Sequence, residues 1–451
     1  MALGFDYGTS NCSVAQVVNN SVQPVPLVNG ETFIPSTLSA PNRESVTEYL
    51  YRFLNILPIG EVGEALLSTS TRTNWREGLE LMPEDIRFGK QATALYLEDP
   101  AHCYYVKSPK SFLGLLGLRD MQLAIFEDLV CAMMANVKHL AEQSLEQDIT
   151  QVVIGRPINF HNRGGEKSNQ QAQNILYQAA SRAGFKDIEF QFEPVAAGLE
   201  YESTLRENQI VLVVDVGGGT TDCSMLQMGP TWFGKKDRAD SMIAHTGKFI
   251  GGNDMDIAIA FRRFMAEFGK GTERLDGKEI PVGYFMDAIA INDVEAQRRF
   301  YTHDNLKTLK QLVVNAKEPS MVSRLLQVYQ NTLGHRIVQE AEYTKIALGQ
   351  MNNATASVDL MKELLEIPVS VAQMEDAIAN SLRSIKKQVQ ESITQSGVKP
   401  DVVYITGGSA RSPILRTAVK SVLQDTPIVS GDFDGSVTSG LARWADLCFK
   451  R

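Results

Sequence analysis

The chain has 451 residues, of which 43% are hydrophobic and 22% charged, and its formal net charge is −9. That length accommodates two or three domains with an ample core, and the acidic balance excludes a general nucleic-acid or acidic-membrane binder, both of which need basic surface. No apolar run reaches the roughly 18 residues of a membrane helix. The first apparent strand starts at Leu3, which leaves no room for a signal peptide. The five scattered cysteines contain no Cys-x-x-Cys pair, and the six histidines show no ligand spacing. This composition suits a reducing cytoplasm and speaks against structural zinc.

Residues 1–39 read as a meander: Phe5–Val18, a turn at Asn19-Asn20, Val22–Val28 and a second turn at Asn29-Gly30. Residues 40–118 are less regular, broken by Pro and Gly, and contain Lys110-Ser111-Phe112-Leu113-Gly114. A lysine there is most often solvated. Residues 121–145 have helical periodicity and good helix formers. Gln151–Arg156 is a strand stopped by Pro157, and a helix from about Ser168 to Ala183 is closed by Gly184. A short strand, Ile188–Phe192, runs into Glu193-Pro194-Val195-Ala196-Ala197, a helix start with Pro in its first turn. By itself Glu193 is a first-turn acid stabilised by the helix dipole.

The stretch Ile210–Ser224 organises the chain. A buried strand ends at Asp215, followed by Gly217-Gly218-Gly219, Thr220-Thr221 and Asp222. Without Cβ atoms, three glycines let backbone N–H groups close around a phosphate. Asp215 and Asp222 flank the turn, where hydrated Mg²⁺ fits between carboxylate and phosphate. Taken alone, the run also fits a glycine-rich hairpin between core strands. Near the N-terminus, Asp6-Tyr7-Gly8-Thr9-Ser10-Asn11-Cys12-Ser13 repeats its grammar of strand, Asp, Gly, hydroxyls and Cys-Ser. Such repetition implies duplication, with two lobes each giving a strand–turn–strand phosphate loop to one cleft.

Further on, Gly247–Asp256 is a glycine turn opening a helix, and residues 255–395 are mostly helical, with polar breaks at Gly269–Gly277 and Met351–Thr355. Val402–Thr406 is another buried strand, ending in Gly407-Gly408-Ser409. Asp434-Gly435-Ser436-Val437 begins a final helix that runs to Arg451. The elements imply α/β architecture with mixed sheets covered by helices.

Asp6–Ser13, Asp215–Ser224 and Gly407–Arg411 resemble the two phosphate loops and the adenosine loop of the actin-like ATPase superfamily. Lys110-Ser-Phe-Leu-Gly, Glu193-Pro-Val-Ala-Ala, Gly251-Gly-Asn-Asp and Gly407-Gly-Ser-Ala-Arg-Ser-Pro sharpen this to a resemblance to the nucleotide-binding domain of the heat-shock-protein-seventy (DnaK-type) chaperones, and to the YegD group among them. The resemblance covers residues 3 to about 447. It implies two duplicated lobes with ribonuclease-H-like cores and an ATP cleft between them. Lobe I would be 1–203, with its inner core at 1–39 and 120–203 and its outer subdomain at 40–119. Lobe II would be 204–451, with its inner core at 204–249 and 381–451 and a helical outer subdomain, including an insertion, at 250–380.

The resemblance also implies the site. Gly8, Thr9, Ser10 and Gly217, Gly218, Gly219, Thr220 would hold the phosphates of ATP or ADP. Asp6, Asp215 and Asp222 would hold Mg²⁺ through its waters, with K⁺ as a further ion. Lys110 and Glu193 would flank the γ-phosphate as catalytic residues, alongside Asp215 and Thr220. Gly251, Gly252, Glu342, Lys345, Gly407, Gly408, Ser409, Arg411 and Asp434 would line the adenosine side. The implied activity is slow ATP hydrolysis that switches a partner contact.

The departures from the pattern are specific. Ile346 stands where the family stacks an arginine on adenine, and Gly349 where a serine meets the base edge, so base recognition is expected to be looser. Asn169-Gln170-Gln171 lacks the arginine that relays nucleotide state. The chain stops where the family's linker and peptide-binding β-domain begin, from which no peptide clamp is expected. The span from Asn253 to Glu342 is long for the family, and residues 270–335 carry an amphipathic pattern (Phe285, Ile289, Ile291, Leu309, Leu312, Val313, Leu325, Leu326, Tyr329) that suits either packing or a protein partner. Two alternatives share the superfamily core, a small-molecule kinase and an actin-like filament protein.

Overall fold

In the computed structural model, which describes residues 1–161 and 164–450, the strand Ala2–Tyr7 pairs antiparallel with Asn11–Val18 and parallel with Gln151–Arg156. Ser21–Pro24 extends this sheet on one side and Asp187–Phe192 on the other, and Phe33–Pro35 also joins Asn11–Val18. Asn19 and Asn20 both take positive φ (49° and 66°), the backbone that lets a two-residue turn follow the twist of its strands.

The second inner sheet repeats this plan. Gln209–Val216 is antiparallel to Thr221–Met228 and parallel to Val402–Thr406, with Met242–Lys248 and Ile428–Ser430 at the edges. Val211, Leu212, Val213, Val214 and Val216 are fully buried, as expected of a strand covered on both faces. Both central hairpins turn through four residues, Gly8–Asn11 and Gly217–Thr220, so Asp6 faces Ser13 where Asp215 faces Asp222. This corrects the register of the internal repeat. Cys12-Ser13 corresponds to Thr221-Asp222, not to Cys223-Ser224.

Two helices, Glu193–Glu202 and Ser436–Phe449, join the sheets. They cross so closely that a Cβ on Gly440 would lie 1.7 Å from the Ala196 carbonyl oxygen, and the last helix lies so close to the first strand that a Cβ on Gly4 would be 2.1 Å from the Ala442 nitrogen. Val153 of the first sheet, Val213 of the second and Val195 and Leu441 of the two helices share one buried cluster. The last helix starts at Ser436, within the expected Asp434–Val437, and ends at Phe449; Arg451 lies outside the described residues. Gly165–Arg182 begins before the expected Ser168, and Gly184 closes it with φ 100°. Among the described residues no helix is long and apolar enough to cross a membrane.

The outer regions differ. On the first side a three-stranded sheet (Thr37–Ala40, Arg87–Phe88, Tyr104–Lys107) carries the helix Gly89–Glu98, while Glu44–Leu54 and Gly60–Arg76 pack on each other and on the helix Asp120–Leu145. On the other side the helices Gly283–Ile289, Val294–Phe300, His303–Asn315 and Pro319–Gln330 precede Gly334–Leu348. A hairpin, Asn353–Asp359 with Leu364–Ser370, follows where the sequence reading had helix broken at Met351–Thr355. Phe285, Ile289, Leu309 and Leu325 are fully buried, and Ile291 and Leu312 nearly so. Val313, Leu326 and Tyr329 pack partly buried against the same core. The amphipathic stripe of 270–335 is therefore used in packing.

Candidate functional site

The second glycine loop is fixed by its own backbone and by two neighbouring elements. Gly217 N–H donates to the Thr220 carbonyl (3.0 Å). The carbonyls of Gly217 and Gly218 accept from the N–H groups of Gly252 (3.0 Å) and Asn253 (2.8 Å), at the start of the helix Gly252–Ile259. Ser409 Oγ, from the turn after Val402–Thr406, also donates to the Gly217 carbonyl (3.0 Å). A Cβ on Gly251 would sit 2.6 Å from the Gly218 carbonyl. The loop therefore excludes side chains where the helix approaches it.

The first loop faces the second. Ser36 holds it, donating from Oγ to the Gly8 carbonyl (2.6 Å) and from N–H to the Ser10 carbonyl (2.8 Å). A Cβ on Gly218 would fall 2.0 Å from Ser10 Oγ, and one on Gly219 2.9 Å from the Thr9 methyl carbon. The hydroxyls of one sheet thus stand against the glycines of the other. Between them runs a cleft of about 490 Å³, within the size range of about 300–1,000 Å³ for small-molecule sites.

Most of the residues expected from sequence line this cleft: Asp6, Gly8, Thr9, Ser10, Glu193, Asp215, Gly217, Gly218 and Thr220 at one end, and Gly252, Glu342, Lys345, Gly407, Gly408, Ser409, Arg411 and Asp434 toward the other. Lys110, Asp222, Gly219 and Gly251 stand behind the lining. Phe33, Asp256, Gln350 and Phe433 also line it and were missed, because strand pairing and helix packing, not local pattern, bring them there. Arg411 is ion-paired to Asp434, with its guanidinium 5.9 Å from the centre of the Phe433 ring. Lys345 pairs with Asp256 (2.7 Å) and donates to the Gly252 carbonyl (3.3 Å). Glu342 reaches across the cleft to Lys107 (2.8 Å).

Lys110 sits on a 3₁₀ turn, Pro109–Phe112, entered through Ser108 in the left-handed region (φ 59°). The resemblance put Lys110 and Glu193 on either side of a phosphate, but here they are bonded to each other. Lys110 Nζ lies 2.5 Å from Glu193 Oε1 and 3.3 Å from the Gly155 carbonyl. Glu193 opens its helix and faces the cleft with Lys110 behind it.

Asp215 and Asp222 are buried, and Asp6 is half-buried at the cleft. Burial, then Glu193, pushes the Asp6 carboxyl up to about 7 against the pull of Lys110. Burial and Glu193 take Asp222 to about 8, although Ile158 N–H donates to its Oδ1 (3.0 Å). Asp215 is also raised well above the carboxylate range, by burial first and then by Glu193 and Asp222. Asp222 Oδ2 is buried with no partner. Buried carboxylates of this kind fit a hard cation. Among the described residues no group of three or more His, Cys, Asp or Glu side chains is arranged to hold a metal ion directly.

Known proteins are similar to this chain along most of its length. The family model described as "Hsp70 protein" matches residues 122–281 and 323–448, well over half of the chain. The chain belongs to the Hsp70 family. The break in the Hsp70 match spans the helices Gly283–Ile289, Val294–Phe300 and His303–Asn315. Curated relatives include a "Chaperone protein HscA homolog" of Burkholderia cenocepacia, 24% identical over 449 residues, covering 99% of this chain and 58% of the relative. Another from Shewanella oneidensis is 22% identical over 455 residues, covering 99% and 58%. The "Chaperone protein DnaK" of Thermus thermophilus is 25% identical over 456 residues, covering 98% and 60%. The chain thus spans about three fifths of the length of the Hsp70 relatives it matches.

Proposed function

We propose that this chain is an ATPase module that binds Mg–ATP between lobes 1–203 and 204–451, hydrolyses it slowly to ADP and phosphate, and changes a protein contact as the lobes open and close. The observation that carries this reading is the meeting of the two loops, with Thr9 and Ser10 against Gly218 and Gly219 and with buried Asp215 and Asp222 and half-buried Asp6 alongside.

In this reading the amides of Gly217–Thr220 and the hydroxyls of Thr9 and Ser10 hold the phosphates. Asp6, Asp215 and Asp222 would hold Mg²⁺, and K⁺ would be a further ion offsetting their charge. The metal, when bound, neutralises charge on the phosphate oxygens. Glu193 orients a water and takes its proton as the water oxygen bonds to the γ-phosphorus and the bond to the ADP oxygen breaks. Lys110 leaves Glu193 for the γ-phosphoryl oxygens, where its charge stabilises the transition state. The base lies between Ile346 and Arg411, and the ribose near Glu342 and Lys345. The test is single-turnover hydrolysis on Lys110→Ala beside an ATP-affinity measurement. Turnover should fall by roughly a hundred- to a thousandfold, about 2.7–4 kcal/mol, with affinity little changed. A wild-type rate would remove Lys110 from the chemistry.

A further inference from the structure

A second cavity, which shares no lining residue with the nucleotide cleft, is walled by the helices Glu44–Leu54, Gly60–Arg76, Asp120–Leu145 and Gly165–Arg182. The first two of these helices fall outside the Hsp70 match. The cavity holds about 240 Å³, below the roughly 300–1,000 Å³ of a small-molecule site, and suits one long side chain. The helix Asp120–Leu145 presents Asp120, Leu123, Ala124 and Glu127 to it, at the i, i+3, i+4 and i+7 spacing of a single face. Ile56, Ile59, Leu66 and Ile175 add apolar wall.

The charges in this cavity do not balance. Asp120, Glu127 and Asp128 line it with one guanidinium, Arg182. Arg182, only 9% exposed, is shared by Glu127 (2.8 Å) and Asp128 (2.7 Å), and Thr47 Oγ1 donates to the other Asp128 oxygen (2.7 Å). Arg182 Nε is buried without a partner, so the cluster is not closed on itself. Burial lifts the Glu127 and Asp128 carboxyls above the usual carboxylate range, against the pull of Arg182. Exposed Asp120 adds a third negative charge. The rim is apolar and stiff. Tyr51, Ile59 and Val62 line the cavity and are exposed, and Leu57, in the link between the outer helices, is 67% exposed. Asn55 and Gly60 take positive φ (54° and 62°) on either side of Pro58, and Ile56 N–H donates to the Leu50 carbonyl (2.9 Å). The link is thus set in one shape before anything binds.

We propose that this face docks an apolar segment of a partner protein through one arginine or lysine side chain, whose stem lies along Leu123, Ile59 and Leu66 and whose cation reaches Glu127. Charge complementarity selects the anchor: a neutral or acidic side chain in the cavity would leave its surplus carboxylate charge unpaired. Asp120, on the same helix face, adds to the attraction. The exposed apolar rim then covers the residues that flank the anchor in the partner and excludes water from the ion pair. The inference rests on the fold alone, so it stands or falls separately from the nucleotide reading.

Methyl NMR of the isoleucine-labelled chain, without nucleotide, tests it with the peptide acetyl-Leu-Leu-Arg-Leu-Leu-amide. The methyl signals of Ile56 and Ile59 should shift and saturate. The same peptide with citrulline in place of arginine keeps the shape and loses the charge, and should bind about tenfold more weakly. Glu127→Gln should remove most of that difference, and Asp120→Asn, at an exposed position, should reduce it even where Glu127→Gln fails to fold. Leu57→Ser should weaken both peptides by roughly fivefold. No shift at either isoleucine, or equal affinity for the arginine and citrulline peptides, overturns the proposal. Binding of n-butylguanidinium as tight as that of the arginine peptide would make this a site for a free cation and overturn the docking surface, as would an unchanged affinity in Leu57→Ser.

Discussion

The two inner sheets have the same strand order and directions, yet the position opposite the first aspartate is Ser13 in one and Asp222 in the other. Ser13 Oγ shares a 2.5 Å hydrogen bond with Thr438 Oγ1 and is satisfied within the packing. Asp222 takes an N–H from Ile158, in the loop that follows the strand Gln151–Arg156 of the other half, and leaves one oxygen without a partner. Duplication thus supplies the backbone twice but this carboxylate once. A hairpin of a given register dictates where a side chain points, not whether it is charged. The charge is placed where a backbone N–H of the other half can hold it.

Exchanging these two residues tests the asymmetry. Ser13→Asp buries a carboxylate beside Thr438 with no counter-charge, and should destabilise the fold by about 3 kcal/mol or more in urea unfolding. A variant as stable as the parent would make the difference between the loops incidental. Asp222→Ser turns the second loop into the first and should weaken Mg²⁺-dependent ATP binding by about tenfold in a calorimetric titration. Equal Mg²⁺ dependence in variant and parent would remove Asp222 from the cation site.

The smallest effect is on pH. In the folded chain Asp6 titrates near 7 and Asp222 near 8, against roughly 3.9 for a free Asp. Between those limits the folded state binds more protons than the unfolded one, so stability falls as pH rises. Without divalent cation the melting temperature should drop by roughly 2–4 °C from pH 6 to 8.5, and Mg²⁺ with ATP should shrink that drop. A melting temperature that climbs across this window without cation would contradict the placement of these carboxylates.

The parts legible in the sequence are those set by local rules. Pro157 ends its strand, Gly184 closes its helix, and glycines sit where backbone approaches backbone at the loops. The amphipathic residues of 270–335 were identified, and their burial follows from the same pattern. Other features depend on distant contacts. The Cys-Ser match misled because it ignores the equal length of the two turns. The hairpin Asn353–Ser370 alternates through Ala354, Ala356 and Val358 on its first strand, and alanine carries too little apolar signal to stand out. Ile428–Ser430 is too short to declare itself. Nothing near Lys110 in sequence announces its contact with Glu193, since strand order alone brings that turn to the helix start.

The central claim is that two copies of one loop make one phosphate site. Titration calorimetry of ATP into the wild-type chain, with and without Mg²⁺, tests it most directly. The account predicts one nucleotide per chain, bound more tightly with Mg²⁺. Two nucleotides per chain, one for each loop, or no binding at all, would contradict it.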